Sequence, residues 1–156
     1  MAEPDACILT NLSASWEEEF LVGTKNKNNC SGFVKSVAAK LGVPIPATAN
    51  ADGITAHVSQ NWKKIDSGQA AALQAEMGVF VLAVLKGADH NPARTSGHVA
   101  VVVRGKLYKN QYPVVWGGST GGAQSQGEKT VGEVWNRADR DNVAYYAYAG
   151  TVCGKP

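Results

Sequence analysis

The chain has 156 residues, 44% of them hydrophobic and 18% charged, with a formal net charge of +2. That is the size and composition of one ordinary globular domain with room for a core, and it excludes a disordered chain. A charge so close to zero excludes a dedicated nucleic-acid binder, which needs a basic face, yet allows approach to an anionic polymer without sticking to it.

A first helix is expected over residues 5–22. Ile8, Leu9, Leu12, Trp16, Phe20 and Leu21 supply its apolar stripe, while Glu17, Glu18 and Glu19 face water. A turn-rich loop over 23–29 leads to Cys30. Beyond it, Phe33, Val34, Val37, Ala38 and Leu41 fall on one face at helical spacing, and Gly42 with Pro44 stops the run. Asn28 or Asn29 caps its start, because the side-chain oxygen accepts a free N–H of the first turn. Cys30 is thereby placed at a helix N-terminus, where the helix dipole and free N–H groups favour thiolate over thiol. A small-residue loop follows over 47–53. A helix is expected over 54–64, with Ile54, Val58, Asn61, Trp62 and Ile65 sharing a face, and an alanine-rich helix over 69–77 ended by Gly78.

The character then changes. Residues 79–85 are a continuous apolar run, read as a buried strand. A polar loop over 86–96 leads to a second strand at 97–103, closed by the Arg104-Gly105 turn. A third strand is expected at 112–116, with Pro113 near its beginning or on an edge. A glycine-rich stretch follows over 117–123, then one or two helical turns over 130–135, and a final strand over 142–149. Helices first and a mainly antiparallel sheet second make an α+β domain with helices packed on one face. One domain, 1–156, is expected, with no repeat or linker.

The three cysteines, Cys7, Cys30 and Cys153, are too widely spaced for a zinc knuckle, and no metal or cofactor is expected. Cys7 and Cys153 either join the two ends of the chain or are buried thiols that never meet. A thiol hydrolase needs a histidine to hold the proton and donors for the oxyanion. His57 lies on a helix and reads as a surface residue. His90 lies in the polar loop without neighbours that suggest a role. His98 opens a strand directly after Ser96-Gly97, at a sheet rim where side chains reach a cleft. Taken alone, His98 reads as a solvated edge histidine and Cys30 as a small buried hydrophobe. Together they match the papain-like logic of cysteine on a helix and histidine on a following sheet.

Asn29-Cys30-Ser31-Gly32-Phe33-Val34 and Gly97-His98-Val99-Ala100-Val101-Val102 resemble the Cys and His boxes of the NlpC/P60 peptidase superfamily, a papain-like fold. More narrowly, the chain is similar to the first family of amidase effectors delivered by bacterial type VI secretion. The likeness runs from Cys7 and Trp16 through Leu41-Gly42-Val43-Pro44, Trp62, Tyr112-Pro113, Trp116, Ser125-Gln126-Gly127 and Val134-Trp135-Asn136-Arg137 to Cys153, nearly the full chain. The resemblance implies a cysteine peptidase that cuts peptidoglycan stem peptides between D-glutamate and meso-diaminopimelate, with Cys30 as nucleophile and His98 as base. It implies a Cys7–Cys153 disulfide, a type VI secretion carrier, delivery to a rival's periplasm, and a cognate immunity protein that plugs the cleft. The acidic first residues lack the basic-then-apolar order of a signal peptide, so secretion without one is expected. No apolar run is long enough for a membrane span, and a monomer is expected.

One position departs from the family pattern. After Trp116 the family can carry a cysteine near the histidine, and here stands Gly117. The backbone carbonyl of Gly117 is then the expected orienter of His98, with Ser119 as a second candidate. The loops 47–53, 86–96 and 117–126 are expected to wall the cleft, with Asp52, Ser119 and Gln126 as substrate contacts and Asn91 and Arg94 as further polar candidates. Trp62, Trp116 and Trp135 read as core or rim packing. The rival readings are a Cys-His acyltransferase or deamidase acting on proteins, and a non-catalytic wall-binding module.

Overall fold

A computed structural model of the chain describes residues 3–21, 29–119 and 123–153, apart from the side chains of residues 19–21. Phe20 and Leu21 as stripe residues, Asn28 as a cap, the loop up to residue 28, and residues 120–122 of the glycine-rich stretch lie outside what is described. The elements run α1 (Ala6–Leu21), α2 (Cys30–Leu41), α3 (Ala51–Asn61), β1 (Lys63–Ile65), α4 (Gly68–Glu76), β2 (Val81–Leu85), β3 (His98–Val102), β4 (Val114–Gly117), β5 (Ser125–Thr130), α5 (Val131–Val134) and β6 (Ala144–Ala147). The strands form one six-stranded sheet in the order β1-β6-β2-β3-β4-β5, and every pairing is antiparallel. The architecture is the expected α+β.

Helices cover both faces of the sheet, not one. Leu12, Trp16, Phe33, Val34 and Val37 of α1 and α2, with Ile54 and Val58 of α3, pack on Leu82, Val84, Val99 and Val101. On the opposite face Ala71 and Ala75 of α4, with Val131 and Trp135, pack on Val81, Ala83, Ala100 and Val102. The apolar run of β2 is continuous for this reason: all five of its residues are buried, alternately against one helical layer and the other.

Three boundaries differ from the sequence expectation. Helix α3 starts at Ala51, because Asn50 caps it with an oxygen that accepts the Gly53 N–H at 2.8 Å. Asp52 therefore lies in a first helical turn rather than a loop. The helix ends before Trp62, and Lys63–Ile65 peels off as an edge strand against β6. Trp62 stays buried, its ring 5.9 Å from Phe80 and 5.4 Å from Tyr148. Strand β5 went unread because Ser125-Gln126-Gly127-Glu128-Lys129-Thr130 has no apolar alternation. It is an edge strand with polar residues facing out, as exposed edges require.

The two ends of the described chain are held in place. Cys7 and Cys153 form a disulfide with Cα atoms 6.2 Å apart. Asp5, buried to 2% exposure, takes a two-pronged pair from Arg104, with Nε at 2.8 Å and Nη2 at 3.0 Å. Among the described residues no helix is long and apolar enough to cross a membrane.

Candidate active site

The site begins with a cap. Asn29 is extended, and its Oδ1 accepts the Gly32 N–H at 3.1 Å and the Ser31 hydroxyl at 2.8 Å. Cys30 is therefore the first residue of α2. The apolar face of α2 packs on β3, which lays Cys30 against the head of that strand. His98 is the first residue of β3, opposite Leu85 of β2.

The loop that delivers His98 is pinned from α3. Asp52 Oδ1 accepts the Gly87 N–H at 2.9 Å, just past the end of β2. Gly97 packs directly against that carboxylate. A Cβ at position 97 would collide with Asp52 Oδ1 and with the Leu85 carbonyl. Glycine before His98 is thus a demand of close backbone approach.

A cleft of about 660 Å³ opens over these elements, lined by residues 29–31, 50–52, 94–98 and Ser119. It brings together Cys30, His98, Asp52, Ser119 and Arg94 from four separate stretches of chain. Segments of all three expected wall loops contribute. Gln126 lies elsewhere, exposed on β5, where its N–H is taken by the Glu128 carboxylate at 3.0 Å. Asn91 is not in the lining either; its N–H is bound by Asp139 at 2.6 Å. Gly117 sits at the end of β4 beside Ala100, two residues along β3 from His98. Among the described residues the His98 ring makes no hydrogen bond to the Gly117 carbonyl or to any other protein group.

The electrostatics correct one expectation. Burial pushes the Cys30 thiol up from its ordinary value, and this outweighs the backbone N–H groups of Val99, Ser31 and Cys30, which act on the sulfur in the opposite sense. The N–H groups at the helix start do not offset the partial burial of the sulfur. Burial likewise pushes His98 down, to about 4, with smaller Coulombic contributions from the neighbouring His90 and Arg94 in the same direction. The resting pair is a neutral thiol and a neutral imidazole. Such a pair does base-assisted nucleophilic chemistry, in which the proton moves as the thiol attacks. Among the described residues no three His, Cys, Asp or Glu side chains gather as metal ligands.

Two residues at the site escaped the sequence reading. Asn50 caps α3 and also lines the cleft. His90, read as a loop residue without a role, is only 5% exposed, in the wall of a second cavity that it shares with His98. Nothing local signals this, because its neighbours there include residues more than 40 positions further along the chain.

A thiol at a helix N-terminus shares the cleft with an imidazole at the head of a strand, in an α+β fold consistent with that of a papain-like amidase. No family model matches the chain. The peptidoglycan amidase Tse1 of Pseudomonas aeruginosa is 51% identical to it over 154 residues, which cover 97% of this chain and 96% of that protein. The chain belongs to the family that Tse1 represents, the amidase effectors whose motifs it resembles in sequence.

Proposed function

We propose that this protein hydrolyses an amide bond in the peptide stems of peptidoglycan, with Cys30 as nucleophile and His98 as general base. The observation that carries the reading is the meeting of the chain's one free thiol with His98 in a single open cleft. Near full-length identity to a peptidoglycan amidase supports it. His98 takes the thiol proton as sulfur attacks the amide carbonyl. The oxyanion is met by backbone N–H groups at the start of α2. His98 then gives the proton to the leaving amine, and water, deprotonated by the same imidazole, cleaves the thioester and frees Cys30.

The bond is that between D-glutamate and meso-diaminopimelate, and Asp52, Arg94 and Ser119 form the cleft wall along the peptide. One catalytic domain does this work, delivered by a type VI secretion carrier into a rival's periplasm. An immunity protein shields kin by filling the cleft. The placement in the NlpC/P60 superfamily belongs to the same reading.

The test is digestion of purified sacculi, with the fragments analysed by mass spectrometry. Soluble fragments with newly freed diaminopimelate amines are expected from the wild type, and none from Cys30→Ala or His98→Ala. Cleavage by Cys30→Ala at the wild-type rate would overturn the assignment.

A further inference from the structure

His98 stands in the walls of two cavities. The second is small, about 60 Å³, and is shared with His90, Ser119, Trp135, Asn136 and Asp139 among others. Two of its lining residues, His90 and Trp135, carry buried polar atoms of opposite kind that have no hydrogen-bond partner among the described residues. His90 Nδ1 lies 2.8 Å from the Lys86 carbonyl. A carbonyl accepts and never donates, so Nδ1 carries the proton and Nε2 of the neutral ring presents a lone pair. That Nε2 is buried and has no partner among the described residues. Trp135 is the converse case. It is 3% exposed, and its indole Nε1–H, which can only donate, is buried with no acceptor among the described residues.

An orphan acceptor and an orphan donor in residues lining one polar cavity call for the same guest. Each group left unpaired is unfavourable by about 1–3 kcal/mol. A water molecule satisfies both at once, accepting from Trp135 and donating to His90. The cavity exceeds the ~10–15 Å³ that one water needs, and it offers the two to four polar partners that hold such a water. Its remaining proton has Asp139 to go to, a carboxylate buried to 1% exposure. Its remaining lone pair is free for His98. The edge of one ring already meets the face of the other, with His98 and Trp135 centroids 4.8 Å apart at 72°.

We propose that a buried water held by His90, Trp135 and Asp139 is the third member of the catalytic group, accepting the N–H of the His98 nitrogen remote from Cys30. This fixes one tautomer of His98, so that the nitrogen facing the thiol is the one with the lone pair. It supplies what neither the absent side chain at position 117 nor the Gly117 carbonyl provides. His90 and Trp135 are then positioning residues. The charged and titratable groups around the water are His90, His98, Asp139 and Arg94. The inference rests on the amidase reading above.

The test is steady-state kinetics on a defined stem peptide, together with ring ¹⁵N NMR shifts of His98. His90→Phe removes the acceptor and keeps an aromatic ring; Trp135→Phe removes the donor. Each should lower kcat by about 10–100-fold, less than the roughly 10²–10⁴-fold that general acid–base catalysis supplies in full, with KM within about twofold. His90→Gln, which returns an oxygen near the Nε2 position, should recover most of kcat. The double variant should be no slower than the slower single one, because both act through one water. His98 should show a single tautomer in the wild type and a mixture in His90→Phe. Wild-type kcat in both single variants, or losses that multiply in the double, would overturn the proposal. So would equal loss in His90→Gln and His90→Phe, which would mark His90 as merely structural. If His90→Phe does not fold, Trp135→Phe carries the test alone. A wild type inactive on the peptide sinks the amidase reading instead, while the tautomer measurement still judges the water.

Discussion

At His98, burial sets the pH behaviour. Its imidazole is held down to about 4, whereas in the unfolded chain it titrates near 6.5. Above pH 6.5 it is neutral in both states and adds no pH dependence. Between 6.5 and 4 the unfolded chain takes up a proton that the folded one refuses, so stability falls as pH drops, by about 3 kcal/mol at most. Below about 4 the slope ends. Thermal melts across this range should show the slope, and His98→Gln should remove it. For the same reason the acid limb of kcat/KM should lie near pH 4 rather than near 6.5. At position 117, an added Cβ would come within 3.2 Å of the Ala100 Cβ, a contact relieved by a few tenths of an ångström. Gly117→Ala should therefore fold and keep most of its activity on sacculi. Cys30 and His98 were legible in sequence because an Asn cap and a Gly-His strand start are local signals. His90 was not, because its burial depends on Trp135 and Asp139, which reach it only through the fold.

Among the elements, α2 presents Cys30, β3 presents His98, and α3 braces the turn that precedes His98. The Asp52 carboxylate joins the first turn of α3 to Gly87 and presses on Gly97, the residue before His98. Asp52→Ala strands the Gly87 N–H and should cost about 1–3 kcal/mol in urea denaturation, with a fall in kcat as His98 loses its support. Asp52→Asn keeps an accepting oxygen and should lose much less. The helices were readable from their 3.6-residue stripes, and β2 and β3 from their apolar runs. Strands β1 and β5 were not, since Lys63–Ile65 and Ser125–Thr130 are held by pairing to β6 and β4, not by their own pattern.

For the molecule as a whole, the disulfide between Cys7 and Cys153 closes a loop over nearly the entire chain, with a sequence separation of 146. A cross-link of that span restrains the unfolded state, typically by about 2–4 kcal/mol. The Cys7→Ser, Cys153→Ser double variant should be less stable by that free energy in urea denaturation, with a lower midpoint, and a reductant should bring the wild type to the same midpoint. By itself the sequence determined the α+β class, the helix that presents Cys30 and the strand that presents His98, because each is written in local periodicity and capping. The tertiary structure alone decided that helices cover both faces of the sheet, that Cys30 rests as a thiol, and that His90 lies buried in a cavity with His98. Those outcomes follow from exclusion of water, and which groups lose their water is known only once distant segments have packed together.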